Sequence, residues 1–385
     1  MDLSLTSEQE DLRDTVGRFV RDEIGVERIV ADSRDDVPID PGLWRSIAEL
    51  GWLAMVPPVA GGGLGANATD VGVLFEELGK GPALGPLLES AVLTPHLLTA
   101  IESRSLTELV AGPVMDGDQI ATVVLAERPG LPTSPGTAAV RWRANRHGVV
   151  LGGRALSVPE ASSATHALVL AAGEQPEAPL VAAWVDLGWA GVSVKALGGF
   201  APRQYAVEFH DVEVVSEHCV ELSADTEAAV AAAVLRTVPA LCAFQVGSCS
   251  SVYQMTVDYS RERKQFGRTI GSFQRVQDHV INLANAMDSA RWTTAFALSK
   301  LDHDPDTLPR EAIHVAKSAT AESHTTACHA SHEVHAGIGS DLQYTLAAHT
   351  FQSRTLFAYL GDPAWHRARL AALLGLGGQQ ESATT

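Results

Sequence analysis

Three stretches of this chain bring together side chains able to do chemistry. The first is Arg261-Glu262-Arg263-Lys264-Gln265-Phe266-Gly267-Arg268-Thr269-Ile270-Gly271-Ser272-Phe273-Gln274. It reads in two ways. In one it is the basic C-terminus of a helix, with Gly267 at the position just past the end and Ser272 capping the next helix, because cations are favoured at the negative end of the helix dipole. In the other, Arg263 makes a charge-assisted contact to an anionic ligand group and Gln274 on the following helix adds a neutral hydrogen bond. The second stretch holds His324, His329, His332 and His335. His332 and His335 share a helical face, which a metal could use. No carboxylate or cysteine joins them at the spacing of a HExxH site, so they read as ordinary interfacial histidines and no metal is expected. The third is Glu333-Val334-His335-Ala336-Gly337-Ile338-Gly339, where small residues after a helix let backbone approach a phosphate closely, or simply end the helix.

The elements that must carry these residues follow from periodicity. Thr6-Ser7 with Gln9-Glu10 forms an overlapping capping box, and Leu12, Val16, Phe19, Val20 and Ile24 then recur at helical spacing. Asp40-Pro41 opens a second helix that stops at Gly51, and a third runs from about Thr69 to Gly79. From about residue 120 the period changes from 3.6 to 2. Short apolar runs at 121–125, 139–144, 149–151, 167–170, 180–185, 192–194 and 205–209 alternate with turn residues, the pattern of an antiparallel sandwich or barrel. No strand is followed by GxGxxG and a helix, so a Rossmann site is not supported and the glycines at 61–65 form a plain loop. After about Ala224 long helices return, near 228–260, 272–291, 308–335, 344–360 and 363–375. Phe273, Val276, Val280, Leu283 and Met287 step through one of them as a heptad-like seam.

The expected fold is therefore mainly α with an inserted β domain: a helical domain over 1–118, a β-barrel or sandwich over 119–222, a four-helix bundle over 223–376, and a disordered tail at 377–385. Charged residues make up only 19% of the 385 residues, less than the roughly 25% of an average soluble domain, which points to surface buried against other chains or a ligand. Acidic residues outnumber basic ones for a net charge of −18. That sign repels phosphate backbones and anionic lipid, so neither nucleic acid nor membrane is an expected partner. An anionic ligand must then be held by a few placed arginines. No basic-then-apolar signal opens the sequence, and a soluble, cytoplasmic chain is expected. Cys242 and Cys249, seven apart in an apolar helix, read as small core residues.

The run Arg263-x-x-Phe266-Gly267-x-x-Ile270-x-x-Phe273-Gln274 resembles the signature of the acyl-CoA dehydrogenase family. LTSEQEDLRDTVGRFV, LWRSIAELGWLAMVPP and GGLGANATDVGVLFEELGK are similar to its opening helices, VEFHDVEV to the end of its β domain, and EVHAGIG to its QxxGGxG segment. The family's order of helical domain, β domain and four-helix bundle is the one read from periodicity. The resemblance implies removal of hydrogen from the α and β carbons of an acyl-CoA thioester, with a glutamate taking the α proton and FAD the β hydride.

Set against that pattern, both family positions for the base are vacated. One is Leu360, in Tyr359-Leu360-Gly361-Asp362; the other falls near Thr237. Asp362 is the nearest displaced carboxylate, although with Pro363 after it the residue also reads as the N-cap of a helix. Residues 126–132 replace the family's TEPxAGSD-like segment, and Leu156-Ser157-Val158-Pro159 replaces its WITN-like run, so an aromatic partner and a hydroxyl donor for the flavin ring are lost. In the family's tetramers the adenosine-diphosphate half of FAD is gripped by a neighbouring chain, and Arg263, Phe266, Gln274, Glu333 and Gly337 fall at those neighbour-supplied positions. Glu333 stands for a glutamine and Ala336 for a glycine. The resemblance thus implies the subunit of a heteromeric, α2β2 acyl-CoA dehydrogenase that lacks the base and completes the FAD site of a homologous, glutamate-bearing partner, as in actinobacterial steroid side-chain degradation. A homotetramer with a displaced carboxylate, or a purely structural or regulatory homologue, are the alternatives.

Overall fold

The computed structural model describes residues 4–25, 38–81, 85–125, 139–175, 178–197 and 203–376. The expectations for 126–132 and for the tail at 377–385 lie outside these residues. Helix α1 (Ser7–Glu23) opens with both bonds of the capping box, Gln9 N–H to Thr6 Oγ1 at 3.3 Å and Thr6 N–H to Gln9 Oε1 at 3.1 Å. In α2 (Pro41–Glu49) the Asp40 carboxylate accepts from Leu43 N–H at 2.8 Å. Helix α3 (Ala68–Lys80) is capped by Asn67 and, from across the molecule, by Asp302, which accepts from Ala68 N–H at 2.6 Å and Thr69 N–H at 3.1 Å. A π turn, Glu89–Leu93, leads into α4 (Thr94–Ile101), and α5 (Arg104–Met115) completes the helical first part.

Eight strands follow: β1 (Ala121–Val124), β2 (Arg141–Ala144), β3 (Gly148–Pro159), β4 (His166–Gly173), β5 (Leu180–Asp186), β6 (Val192–Ala196), β7 (Gln204–Val215) and β8 (Cys219–Glu221). They pair in the order β6-β7-β3-β2-β4-β5-β8, with β1 also on β4. β4 is buried on both faces, and this explains its unbroken apolar run. Leu168, Leu170 and Ala172 join the core shared with the helices, while Ala167, Val169 and Ala171 face the interior of the sheet with Val181, Val207 and Phe209. Two pairings depart from the antiparallel expectation. β1 runs parallel to the first half of β4 (Ala121↔His166 to Val124↔Val169), and β2 is parallel to its end (Arg141↔Ala172). Alternation of apolar residues specifies a strand and its faces but not the direction of its neighbour.

The last part is helical: α6 (Ala224–Glu262), α7 (Gln274–His303), α8 (Arg310–His335), α9 (Thr345–Ala358) and α10 (Pro363–Leu373). Helix α6 is long and apolar enough to cross a membrane by length and composition, yet 78% of its most apolar window is buried in the protein. It is the core helix. Its approach to α3 is set by glycine: a Cβ on Gly79 would lie 2.0 Å from the Phe244 carbonyl oxygen, and one on Gly247 1.8 Å from that of Glu76. Cys242 and Cys249 are fully buried and free, and burial pushes the Cys242 thiol up to about 12. From the seam on α7, Leu283 and Met287 pack into the bundle, whereas Phe273, Val276 and Val280 stay half-buried.

Candidate functional site

Because α6, α7 and α8 run up, down and up, the end of α6, the start of α7 and the end of α8 meet at one end of the bundle. Tyr259 on α6 stacks on His335 of α8 with ring centroids 4.4 Å apart, and Tyr344 Oη lies 3.1 Å from His335 Nε2. This contact brings Arg263 and Phe266 to the same end as Glu333 and Gly337, with Gln274 as the first residue of α7. All five are exposed.

The segment between α6 and α7 corrects its local reading. Helix α6 stops at Glu262, with Arg263 in extended backbone, and Lys264–Gln265 then pairs with Arg268–Thr269 as a two-residue-loop hairpin. Gly267 is therefore not the residue that ends the helix. Phe266 and Gly267 form the turn, at φ +54° and +79°, and positive φ at both central residues is what the twist of such a hairpin favours. Ser272 does not cap α7 either: its hydroxyl donates to Thr269 O at 2.7 Å, and the helix begins after Phe273 with no side-chain cap. The N–H groups of its first turn remain available to an anion. Phe266 is 92% exposed, touches Phe273 edge-on at 6.1 Å, and has the Arg268 guanidinium beside it, 4.1 Å above the Phe273 ring. Arg263 has no ion-pair partner among the described residues. A free guanidinium, an exposed aromatic ring, open backbone N–H groups and an amide side chain suit a ligand with phosphate and a flat heteroaromatic group. Glu333 opposes it by charge, and Ala336 adopts φ +51°, ψ −134°, a conformation that favours glycine.

Three of the four histidines face inward, and His329 is exposed. His332 Nε2 lies 2.7 Å from Thr350 Oγ1, His335 Nδ1 lies 2.9 Å from Ser331 O, and His324 Nε2 lies 2.7 Å from Ser248 Oγ. Among the described residues no group of three or more His, Cys, Asp or Glu is placed to hold a metal.

The positions read as vacated bases lie in the core. Leu360 is 1% exposed at φ +53° between α9 and α10, and its carbonyl accepts from His366 Nε2 at 3.0 Å. Lys317, fully buried, donates to Leu356 O at 2.7 Å and so holds the last turn of α9; burial pushes its pKa down to about 8. Thr237 is buried with its hydroxyl on Ala233 O. Asp362 accepts from Trp365 N–H at 2.7 Å, the N-cap role its sequence context suggests. On β3, Ser157 sits at φ +57° in a register break between Ala155 and Val158, so the Leu156-Ser157-Val158-Pro159 run contains a bulge.

Sequence reasoning passed over Glu89. It is 1% exposed on the π turn, Tyr359 Oη donates to its Oε1 at 2.6 Å, and its Oε2 has no hydrogen-bond partner among the described residues. Burial pushes its pKa up to about 7, against the opposing effect of the Tyr359 bond. The available signal was a lone acid in the apolar run 87–93.

Residues 6–100 match the acyl-CoA dehydrogenase N-terminal domain and residues 231–375 its C-terminal domain. Acyl-CoA dehydrogenase IpdE2 of Mycolicibacterium smegmatis is 26% identical over 369 residues, 96% of this chain and 99% of that protein. Acyl-CoA dehydrogenase FadE27 of Mycobacterium tuberculosis is 28% identical over 350 residues, 89% of this chain and 91% of its own. Among solved structures, the ChsE4–ChsE5 complex from Mycobacterium tuberculosis superimposes with a TM-score of 0.84 at 25% identity, covering 98% of this chain and 100% of that one. PigA with FAD and proline shares the fold, with a TM-score of 0.83 at 20% identity over 98% of this chain and 100% of its own. This chain belongs to the acyl-CoA dehydrogenase family of FAD-dependent oxidoreductases.

Proposed function

We propose that this chain is the subunit of a heteromeric acyl-CoA dehydrogenase that lacks the base and completes, in trans, the FAD site of a homologous subunit carrying the catalytic glutamate. The observation that carries this reading is a contrast in exposure. Leu360, at the family's base position, is sealed in the core, while Phe266 stands 92% exposed on a turn whose backbone a bulky residue rarely adopts. An exposed aromatic held in a costly conformation is accounted for by a ligand or partner that covers it. The bound flavin supplies the acceptor for the β hydride. In this chain Arg263 would neutralise a phosphate, Phe266 and Gln274 would orient the adenosine-diphosphate half, and Leu360 moves no proton. The name of acyl-CoA dehydrogenase IpdE2 supports an acyl-CoA substrate, and the ChsE4–ChsE5 complex supports pairing with a second chain; the α2β2 stoichiometry and a steroid-sized acyl group belong to the proposal itself.

The test is flavin content of the chain alone, of its complex with a co-expressed homologous subunit, and of that complex with Arg263→Ala or Phe266→Ala. Flavin is expected in the complex, bound at least about tenfold more weakly in either variant, a loss of about 1.4 kcal/mol. Bound flavin with dehydrogenase turnover from the lone chain would overturn the reading. Glu89 favours one second reading, a self-sufficient enzyme with a displaced base, because its buried carboxyl is bonded to the neighbour of Leu360. In that case Glu89→Gln abolishes turnover of the lone chain.

A further inference from the structure

A cavity of about 330 Å³ opens between α3, α4, α6 and α7, at the small end of the range for small-molecule sites. Most of its lining is apolar, with Val71, Val92, Pro239 and Leu298 among the wall residues, and Asn67, His96, Arg236 and Asp302 are its polar members. Pro239 lies inside α6, where it removes one backbone donor from the wall. The cavity also contains one uncompensated charge. Arg236 lines it with no hydrogen-bond or ion-pair partner among the described residues. Asp302 also lines the cavity, but its carboxylate is already engaged by the N-terminus of α3 through Ala68 and Thr69, so the positive end of that helix meets its charge. His96 is on the opposite wall, and burial together with the Arg236 charge pushes it down to about 4, leaving it neutral.

This place is separate from the elements described above. Arg236 and Thr237 are about 100° apart around α6, so the cavity lies on a different face of the helix from the vacated base position. From Arg236 to Arg263 the helix extends about 40 Å. A half-buried guanidinium with no direct ion-pair partner among the described residues, in a cavity whose lining is mostly apolar and whose one carboxylate, Asp302, is held by a helix N-terminus, is complementary to a molecule that is anionic at one end and apolar along its length.

We propose that this cavity is a binding site for an apolar monocarboxylate, with Arg236 taking the carboxylate and the α4, α6 and α7 walls taking the hydrocarbon. The site stands independently of the trans-FAD reading. Its test is calorimetric titration of sodium decanoate into the full chain, alone and in complex with its partner subunit. One saturable site per chain is expected, with affinity at least tenfold weaker in Arg236→Gln, partly restored in Arg236→Lys, and weaker still for decanol, which keeps the chain but lacks the charge. An unchanged melting temperature in Arg236→Gln separates lost binding from lost folding. Absence of saturable binding, equal affinity in Arg236→Gln, or displacement of decanoate by an acyl-CoA thioester would each overturn the proposal.

Discussion

Acid should unfold this protein through two histidines buried in the bundle, and the geometry gives the size of the effect. His324 and His349 are 0% and 1% exposed and meet on one hydroxyl, Ser248 Oγ, at 2.7 Å from His324 Nε2 and 2.6 Å from His349 Nδ1. Gln245 Nε2 stands 3.4 Å from His324 Nδ1. One proton order satisfies all three contacts: Gln245 donates to His324 Nδ1, His324 Nε2–H donates to Ser248, and Ser248 O–H donates to His349 Nδ1. An added proton on either Nδ1 would face a donor, and burial already pushes both pKa values down to about 3. The unfolded chain takes up protons near 6.5, so the stability is fully present above that pH, falls as pH drops below it, and is lost by about 3. Between pH 7.5 and 4.5 each histidine therefore costs about 2.5 kcal/mol, about 5 kcal/mol for the pair, against a total of about 5–15 kcal/mol for a typical domain. Buried His314 and His366 act in the same direction, and Glu89, with its raised pKa, in the opposite one. The measure that isolates the pair is the double variant His324→Gln with His349→Asn, which keeps a polar atom facing Ser248 from each side without a titrating ring. Urea unfolding from pH 7.5 to 4.5, followed by circular dichroism, should show a steeper loss in the parent than in the variant. Equal slopes would refute the argument.

Two further substitutions test the packing. Gly79→Ala places a methyl carbon 2.0 Å from the Phe244 carbonyl, so α3 and α6 must separate; a loss of about 3 kcal/mol or more is expected in the denaturation midpoint, and an unchanged midpoint would show that the crossing is looser than described. Ala336→Gly relieves the positive φ at the end of α8 and should raise the melting temperature by a few degrees, for a gain of about 1 kcal/mol; a lower melting temperature would mean that this backbone is not strained.

What the sequence disclosed depended on how far apart the interacting residues are along the chain. The capping box at Thr6 and Gln9, the cap at Asp40 and the cap at Asp362 are bonds between residues three apart, so residue type and spacing are enough to read them. The residues at the bundle end were legible as a pattern, yet their geometry was not. Phe266-Gly267 lacks the Asn-Gly or Asp-Gly signal of a tight hairpin, and a glycine after a basic helix is equally compatible with a helix stop. The parallel pairings of β1 and β2 with β4 leave no trace in period-2 patterning. Glu89 was hidden for a different reason: its partner, Tyr359, is 270 positions away, and only the packed fold brings the two together.

That long-range contact bears on the loop that carries Leu360. From Tyr359 to Asp362 the loop is tied along its length. Tyr359 is held by Glu89, the Leu360 carbonyl by His366, His366 in turn by His314 at 2.8 Å, and the end of α9 by Lys317. These holds come from three different elements, the π turn, α8 and α10, so the backbone of this loop is kept in shape around an apolar side chain. On the opposite side of the balance, Arg263, Phe266 and Gln274 remain exposed with little to do for this chain's own stability. Selection for folding alone accounts for the first group and not for the second. The proposed cofactor shared with another subunit would account for the second group, and for that reason substitution of Phe266, rather than of any buried residue near Leu360, is the sharper probe of the proposal.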